Sequence, residues 1–303
     1  MWPIVLSPMK QNRVMVTGAN GLLGKVLTRR LLENDYEVFG LVREKTDFVD
    51  LKNYHEIELD LLSEFNYEKL PNEVDTVVHL AQSPEFKNFP HSANDIFTVN
   101  TLSTLKLLDY ARQTDVKKFI YASSGAVYES SNELITENSK LIEIGNSNFY
   151  AVTKLASEYL IGTYKNFINT TILRFFFIYG PGQNSQMLFP ALATRIRDGV
   201  PITLNGPEGI RINPIHVIDA AKQVHEFIES EKSGTFNISG HQSVTIKEIC
   251  DLMASELRLK PMYEVTEMTR NFETKIELGT VIDQDAEFDL IEGIRDMLNG
   301  GAR

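Results

Sequence analysis

Cysteine is nearly absent from this sequence: Cys250 is the single one among 303 residues. One cysteine excludes an internal disulfide and any metal site built from several cysteines, so no metal centre is expected. The scarcity agrees with a reducing cytoplasm, where we expect the protein to be located. Cys250 itself lies on an apolar helical stripe and is expected in the core.

Long hydrophobic runs and an excess of positive charge are also missing. No stretch approaches the roughly 18 apolar residues of a transmembrane helix. The segment from Met1 to Met9 is apolar but short and has no basic region, so we expect no signal peptide. The net charge is -11, which argues against nucleic acid or an anionic membrane as a partner. One arginine or helix N-terminus can still bind an anionic small ligand.

What the sequence does contain is an alternation of short apolar runs and helical patterns in its first half. Strands are predicted at 14–16, 38–42, 57–59, 76–80, 119–122 and 171–176, and helices at 22–32, 99–111 and 150–164. This alternation predicts an α/β fold with a doubly wound, parallel Rossmann sheet. Prolines and glycines punctuate shorter elements after residue 182. We therefore expect a Rossmann domain at 10–180, with 212–237 returning to it, and a smaller substrate-binding region at 181–211 and 238–303.

Three glycines join the first predicted strand to the first helix. Gly18, Gly21 and Gly24 follow the strand directly and open the helix. In a dinucleotide site such glycines permit a tight turn, approach of the backbone to a pyrophosphate, and close packing of helix on sheet. The alternative is an ordinary glycine-rich turn between a strand and a helix. The context favours a site for NAD or NADP.

The end of the second strand bears on the choice between these two cofactors. Val42 stands where an acidic residue would bind the adenosine ribose, and Arg43 follows it. An arginine at this place can pair with a 2′-phosphate, which favours NADP slightly over NAD. Alternatively, Arg43 is simply solvated. Asp60, after the third strand, is expected to accept from the adenine amino group or to be a surface carboxylate.

Tyr150 and Lys154 form the most informative spacing in the chain. Residues i and i+4 share one face of a helix. A lysine charge beside a tyrosine favours the phenolate and lowers a pKa that is otherwise about 10, so we expect a proton shuttle at neutral pH. Ser124 ends the fifth strand, where it can hydrogen-bond the same reacting oxygen or simply form a turn. A serine hydrolase is disfavoured because no Gly-x-Ser-x-Gly elbow is present.

The order of several short motifs resembles the extended short-chain dehydrogenase/reductase family, and within it the nucleotide-sugar epimerase/dehydratase group. The resemblance reaches to about residue 250. The matching segments are Thr17–Gly24, Val78–Ala81, Asn100, Ser123-Ser124, Tyr150-x-x-x-Lys154, Arg174-x-x-x-x-Tyr179-Gly180-Pro181-Gly182 and Asn213–Asp219.

This resemblance implies roles for individual residues. Tyr150 is implied as the acid/base, with Lys154 lowering its pKa and Ser124 hydrogen-bonding the reacting oxygen. Arg211 corresponds to the position that holds the diphosphate of the nucleotide sugar in many members. The implied substrate-binding residues are Ser83, Ser124, Phe177 and Arg211. The implied cofactor-binding residues are Gly18, Asn20, Gly21, Leu22, Leu23, Gly24, Arg43, Asp60, Leu61, Leu80, Ala81, Asn100, Tyr150, Lys154 and Phe177.

Departures from the family pattern narrow the expected reaction. Gly125 and Ala126 stand where sugar 4,6-dehydratases of the group carry Asp and Glu, and neither can move a proton, so dehydration is disfavoured. The epimerase–reductases use a Cys and a His; no matching Cys lies near Ser124, and Gly182 replaces the His. Phe177 stands where members of the family often have an Asn that contributes to binding of the nucleotide sugar.

We therefore predict an NAD(P)-dependent epimerase or keto-reductase that acts on a nucleotide-activated sugar. Two alternatives stay open: a reductase of a non-sugar ketone, and a non-catalytic NAD(P)-binding regulatory protein. The resemblance also implies a homodimer, formed by the helices at 99–111 and 150–164. The alternative is that the outer faces of these helices are solvated.

Overall fold

The computed structural model describes residues 12–45, 51–63, 66–129, 134–143, 148–267 and 286–301, and the backbone of 275–276. The segment from Met1 to Met9 and much of the acidic stretch that follows Asn271 lie outside the described residues. Among the described helices, none combines the length and the apolar character needed to cross a bilayer.

The described chain alternates strands and helices as far as residue 238. The strands are β1 (Arg13–Thr17), β2 (Glu37–Val42), β3 (Tyr54–Glu58), β4 (Thr76–His79), β5 (Lys118–Ser124), β6 (Leu134–Ile135), β7 (Asn169–Phe175), β8 (Ile178–Tyr179), β9 (Ile202–Asn205), β10 (Arg211–Ile212), β11 (Ile215–His216), β12 (Gly234–Ile238), β13 (Val244–Thr245), β14 (Tyr263–Thr266) and β15 (Lys275–Ile276). The helices are α1 (Leu22–Glu33), α2 (Ala93–Phe97), α3 (Ser103–Gln113), α4 (Phe149–Tyr164), α5 (Leu188–Arg197), α6 (Val217–Glu229), α7 (Ile246–Leu257) and α8 (Leu290–Leu298).

Seven strands form one parallel sheet in the order β12-β7-β5-β4-β1-β2-β3. The central strands are buried along nearly their whole length, as expected for a parallel sheet with helices on both faces. The predicted doubly wound α/β fold is confirmed. The strand order reverses between β4 and β1. The connections that follow these two strands therefore run to opposite faces of the sheet and leave a crevice at their carboxyl ends.

Two predicted elements differ in their bounds. The third strand runs from Tyr54 to Glu58, earlier than predicted, because its pairing with β2 begins at Val38 and Tyr54. The helix predicted at 99–111 does not begin as a regular α-helix. Its first residues belong to a wide turn at Thr98–Leu102, which follows α2 and leads into α3. Hydrophobic spacing locates a helix but does not reveal a local widening of its turns.

Hydrophobic clusters cover both faces of the sheet and a separate C-terminal layer. On one face α1 and α6 pack through Leu27 and Val224; on the other, α3 and α4 pack through Leu107 and Ile161. The C-terminal layer unites α5, α7 and α8. It contains Cys250, which is buried as predicted.

Candidate active site

A single large cleft, with a volume of about 1720 Å³, opens along the carboxyl edge of the sheet. Its walls come from the ends of β1, β2, β4 and β5, the start of α4, and the segments 82–88 and 182–189. Parallel strands deliver their carboxyl ends to one edge, which explains why residues far apart in sequence meet here. The predicted site residues that line the cleft are Gly18, Asn20, Gly21, Leu22, Leu23, Gly24, Arg43, Asp60, Leu61, Leu80, Ala81, Ser124, Tyr150, Lys154 and Phe177.

The glycine turn has the shape of a pyrophosphate cradle. Gly18 adopts φ +67°, a left-handed conformation that side chains disfavour. A Cβ at Gly24 would lie 2.1 Å from the Gly18 carbonyl oxygen, so only glycine lets α1 approach the strand this closely. Gly21 caps α1 without a side-chain hydrogen bond, and the first turn of α1 carries no acidic residue. The helix N-terminus is therefore available to an anion, and the turn fits a dinucleotide.

The backbone that faces the glycine turn is held by a buried polar cross-link. The Thr17 hydroxyl contacts His79 Nδ1 at 2.7 Å and accepts a hydrogen bond from the Ala81 amide at 3.1 Å. Burial and nearby Lys154 lower the pKa of His79 to about 3, so its ring is neutral at physiological pH. This cross-link holds Ala81 close to Gly18. A Cβ on Gly18 would lie 3.1 Å from the Cα of Ala81.

Arg43, Asp60 and Leu61 lie together at the other end of the cleft, beyond β2 and β3. Arg43 is 55% exposed, and its Nε lies 3.6 Å from a carboxylate oxygen of Glu44. Asp60 Oδ1 accepts a hydrogen bond from the Leu62 amide at 3.0 Å, which fixes the carboxylate in its loop. This end therefore combines an exposed guanidinium with an anchored carboxylate.

The predicted catalytic residues meet at the centre of the cleft. Tyr150 and Lys154 lie on α4, and Lys154 Nζ is 5.9 Å from the centre of the Tyr150 ring. Lys154 is 2% exposed and donates a hydrogen bond to the Ala122 carbonyl at 2.8 Å. The Tyr150 hydroxyl donates to Gln82 Oε1 at 3.2 Å. Ser124, at the end of β5, hydrogen-bonds Tyr150 and lowers its pKa.

The pKa of Tyr150 departs from the sequence prediction. Burial raises it to about 12, and the hydrogen bond from Ser124 offsets only part of that rise. Burial also lowers the pKa of Lys154 to about 7, against an opposing pull from the Glu158 carboxylate. Desolvation is the largest influence on the pKa of Tyr150 here, and the lowering of that pKa by Lys154 stays a prediction.

A buried ion pair lies beneath the catalytic residues. Arg174 donates from Nε and Nη2 to the two carboxylate oxygens of Glu158, at 3.0 and 2.6 Å. Arg174 Nη1 donates to the Tyr128 hydroxyl at 2.8 Å, and Ser123 donates to Glu158. A carboxylate buried this deeply needs such a set of donors. The network ties α4 to β5 and β7, and so holds Lys154 in place.

Three predicted site residues do not line the cleft. Asn100 is 1% exposed and uses its carboxamide internally: Oδ1 accepts from the Ser83 amide and Nδ2 donates to Thr153. Ser83 is also buried, and its hydroxyl accepts from the Glu85 amide. These predictions need correction, since both side chains brace the loop behind the cleft.

Arg211 also points elsewhere. Neighbours in a strand face opposite sides. Ile212 is fully buried, which turns Arg211 outward. Its Nη1 donates to the Ser243 carbonyl at 2.9 Å and lies 3.8 Å from Glu248. The implied contact with a diphosphate is therefore not supported by this arrangement.

Part of the cleft is lined by aromatic side chains. Phe177 lines it with φ +46°, a conformation that is uncommon for a phenylalanine. A Cβ on Gly125 would lie 2.2 Å from the ring of Phe176, so an acidic side chain does not fit at that position without displacing the ring.

Apart from Ser83, sequence reasoning missed the 82–88 segment, which forms one wall of the cleft. Gln82 contacts the Tyr150 hydroxyl, and the ring of Phe86 lies 5.1 Å from the Tyr150 ring. Lys87 reaches across the cleft and donates to the Gln186 carbonyl at 3.1 Å. The available signal was position: these residues follow the carboxyl end of β4.

Comparison with known proteins gives a consistent result. A family model described as "NAD dependent epimerase/dehydratase family" matches residues 14–239. A Bacillus subtilis protein named as an uncharacterized UDP-glucose epimerase, YtcB, is 26% identical over 80% of this chain and 81% of its own length.

Solved structures agree in fold. UDP-glucuronic acid 4-epimerase from Bacillus cereus, in complex with UDP-glucuronic acid and NAD, is 24% identical with a TM-score of 0.83 and covers 95% of this chain and 98% of its own. MoeE5 in complex with UDP-glucuronic acid and NAD is 26% identical with a TM-score of 0.80, over the same shares of the two chains.

The predicted resemblance to the nucleotide-sugar epimerase/dehydratase group is thus confirmed, and with it the expectation of an NAD(P)-dependent enzyme. The chain belongs to the NAD dependent epimerase/dehydratase family.

Proposed function

We propose that this chain is an NAD(P)-dependent epimerase or keto-reductase acting on a nucleotide-activated sugar. The observation that carries the proposal is the convergence of Ser124, Tyr150 and Lys154 beside the glycine turn in one cleft. The volume of about 1720 Å³ exceeds that of an ordinary small-molecule pocket, as expected when a dinucleotide and a nucleotide sugar bind together.

The proposed cofactor site runs from the glycine turn to Asp60 and Leu61. The turn residues 18–24 hold the diphosphate, Leu80 and Ala81 line the middle, and Lys154 reaches the nicotinamide ribose. When bound, the nicotinamide accepts or returns hydride at the sugar carbon. Arg43 favours NADP because a guanidinium suits a 2′-phosphate, although relatives such as MoeE5 are complexed with NAD.

Tyr150 moves the proton in this proposal. Its hydroxyl contacts Gln82 in the cleft, and Ser124, which also hydrogen-bonds Tyr150, would hydrogen-bond the reacting oxygen of the substrate. A phenol with a pKa near 12 is almost entirely protonated at neutral pH, so it carries a proton to donate, but little of it is present as the phenolate that would accept one. Proton removal from a sugar hydroxyl therefore requires added positive charge near Tyr150, and Lys154 in its protonated form is the nearest source.

Dehydration is disfavoured in this cleft. The ring of Phe176 occupies the space that an acidic side chain at Gly125 would need. Ala126 also lines the cleft and carries no ionisable group. The chemistry at hand is hydride transfer matched by one proton, which suits epimerisation or ketone reduction.

Reduction of a non-sugar ketone is the second candidate. The aromatic lining formed by Phe86, Phe176, Phe177 and Phe189 favours it, since an apolar wall suits an apolar ketone. A non-catalytic NAD(P)-binding role has less support, because the Tyr150 and Lys154 pair is intact and lies in the cleft.

Turnover of a substrate panel tests the function. We expect the purified protein to convert at least one of UDP-glucose, UDP-glucuronic acid and UDP-N-acetylglucosamine, by product analysis and nicotinamide absorbance with NAD and NADP. On these hydroxy sugars an epimer without net change of the cofactor identifies an epimerase, and net reduction of NAD or NADP identifies an oxidoreductase that runs the ketone reduction in reverse. Turnover of free ketones alone supports the second candidate, and cofactor binding without any turnover supports a regulatory role.

Tyr150→Phe should leave cofactor affinity within about twofold and lower kcat by roughly 10²- to 10⁴-fold, the usual contribution of general acid–base catalysis. Cofactor titration and steady-state rates measure the two effects separately. Unchanged kcat would contradict the role of Tyr150.

We also propose a homodimer and the domain division described above. Apolar side chains on neighbouring faces of α3 and α4 are exposed: Leu105 by 37%, Val152 by 42% and Tyr159 by 68%. Contiguous exposed apolar surface is typical of an interface. For the domains, β12 joins the sheet beside β7, which supports the return of 212–237 to the Rossmann domain.

A further inference from the structure

We propose that Gln82 is a specificity-determining residue that binds the hydroxyl on the carbon next to the reacting carbon. For a reaction at C4 of a hexose, that group is the C3 hydroxyl. The inference rests on the proposed function and deepens it, because it makes a vicinal hydroxyl a requirement of the site.

The carboxamide of Gln82 accepts a hydrogen bond from the Tyr150 hydroxyl at 3.2 Å. Both side chains line the cleft, and Gln82 immediately follows the Leu80-Ala81 backbone at the end of β4. A substrate oxygen bound by Tyr150 and Ser124 must approach this point. The substituent on the adjacent carbon then falls beside Gln82.

A carboxamide matches a hydroxyl chemically. Its NH₂ group donates, its carbonyl accepts, and a hydroxyl can do both. The other wall near this point is apolar: the Phe86 ring packs 5.1 Å from the Tyr150 ring, and Phe177 lines the cleft. Once a bound substrate excludes water from these surroundings, an unpaired carboxamide is unfavourable, so a substrate that lacks the hydroxyl is rejected.

Gln82 is exposed to the cleft, and the hydrogen bond to Tyr150 is the side-chain contact that the structure gives it. Substrate entry can replace that contact with bonds to two oxygens, one at Tyr150 and one at Gln82. Because Gln82 is exposed, we expect removal of its carboxamide to leave the core intact and to test binding.

The experiment compares wild type and Gln82→Leu with UDP-glucose and UDP-3-deoxyglucose. We expect kcat/KM of the wild type to fall about tenfold or more without the C3 hydroxyl, and Gln82→Leu to show nearly equal values for the two sugars. Gln113→Leu on the surface of α3 serves as the matched control and should discriminate like the wild type. Gln82→Glu keeps an acceptor and should restore part of the discrimination.

The outcomes separate the two proposals. If Gln82→Leu discriminates between the sugars as strongly as the wild type does, the assignment of Gln82 is overturned while the proposed function stands. If the wild type turns over neither sugar nor any other nucleotide sugar, the proposed function fails, and the sugar contact fails with it.

Discussion

Lys154, a proposed catalytic residue, is expected to lower the free energy of unfolding because its ammonium group is buried. Its ammonium is almost fully buried, with a backbone carbonyl as hydrogen-bond acceptor and the Glu158 carboxylate as the nearest opposing charge. Burial lowers its pKa to about 7, so the charged form is disfavoured in the folded state. Such a residue destabilises the fold wherever it is protonated in the unfolded chain. Its retention in the cleft is consistent with a catalytic role.

Lys154→Met should therefore stabilise the protein while removing turnover. The unfolded chain keeps the lysine proton up to a pKa of 10.5, whereas the folded chain releases it near 7. The gain in free energy of unfolding should thus be largest below pH 7 and should shrink between pH 7 and 10.5. Urea unfolding at pH 6, 8 and 10 measures it, with exposed Lys117→Met as the control. An equal gain at every pH would count against this account.

At the scale of elements, the junction of β1 and α1 is tightly constrained. The left-handed Gly18 and the missing side chain at Gly24 allow helix and strand to meet within atomic contact. On the other side of the sheet, the Glu158–Arg174 pair ties α4 to β7. These two attachments place the cofactor turn and the catalytic pair at one edge.

Two alanine substitutions separate this constraint from ordinary helix propensity. Gly24→Ala would place a methyl group 2.1 Å from the Gly18 carbonyl oxygen, so we expect a destabilisation of roughly 2 kcal/mol or more and weaker cofactor binding. Gly162→Ala, in α4, meets nothing within 4 Å and should stabilise by about 0.5–1 kcal/mol. Thermal unfolding and cofactor titration test both changes, and similar behaviour of the two variants would refute the steric argument.

At the scale of the whole molecule, the seven-stranded sheet supports two different surfaces. Its carboxyl edge carries the cleft, while the outer faces of α3 and α4 expose apolar side chains. Because α4 bears both Tyr150 and the exposed Tyr159, a partner bound to this helix would also support the catalytic pair.

Tyr159→Glu is expected to convert the proposed dimer into a monomer, since a buried unpaired charge opposes association. Sedimentation velocity of the wild type and the variant measures the change. Val265→Glu, at an apolar site on β14 that is 59% exposed, should leave the assembly unchanged. A wild-type protein that sediments as a monomer at all concentrations would disprove the dimer.

The local signals in the sequence were sufficient for the fold and for part of the site. Periodic apolar residues located the helices and strands, and the spacing of Gly18, Gly21 and Gly24 indicated the turn between β1 and α1. Such patterns act over a few residues, which is why they are readable without a structure. The common location of Tyr150 and Lys154 followed from their spacing of one helical turn.

Only the tertiary structure decided which polar groups face the cleft and how they ionise. Asn100 and Arg211 do not line the cleft, because Asn100 accepts a hydrogen bond from the Ser83 amide and Arg211 donates one to the Ser243 carbonyl. Gln82, in contrast, contacts Tyr150, which lies 68 residues further along the chain. The pKa of Tyr150 rises because of desolvation, a property of everything packed around it. The spacing of residues along the chain indicates which residue types lie at the carboxyl edge of the sheet. The orientation and burial of their side chains depend on contacts between distant segments.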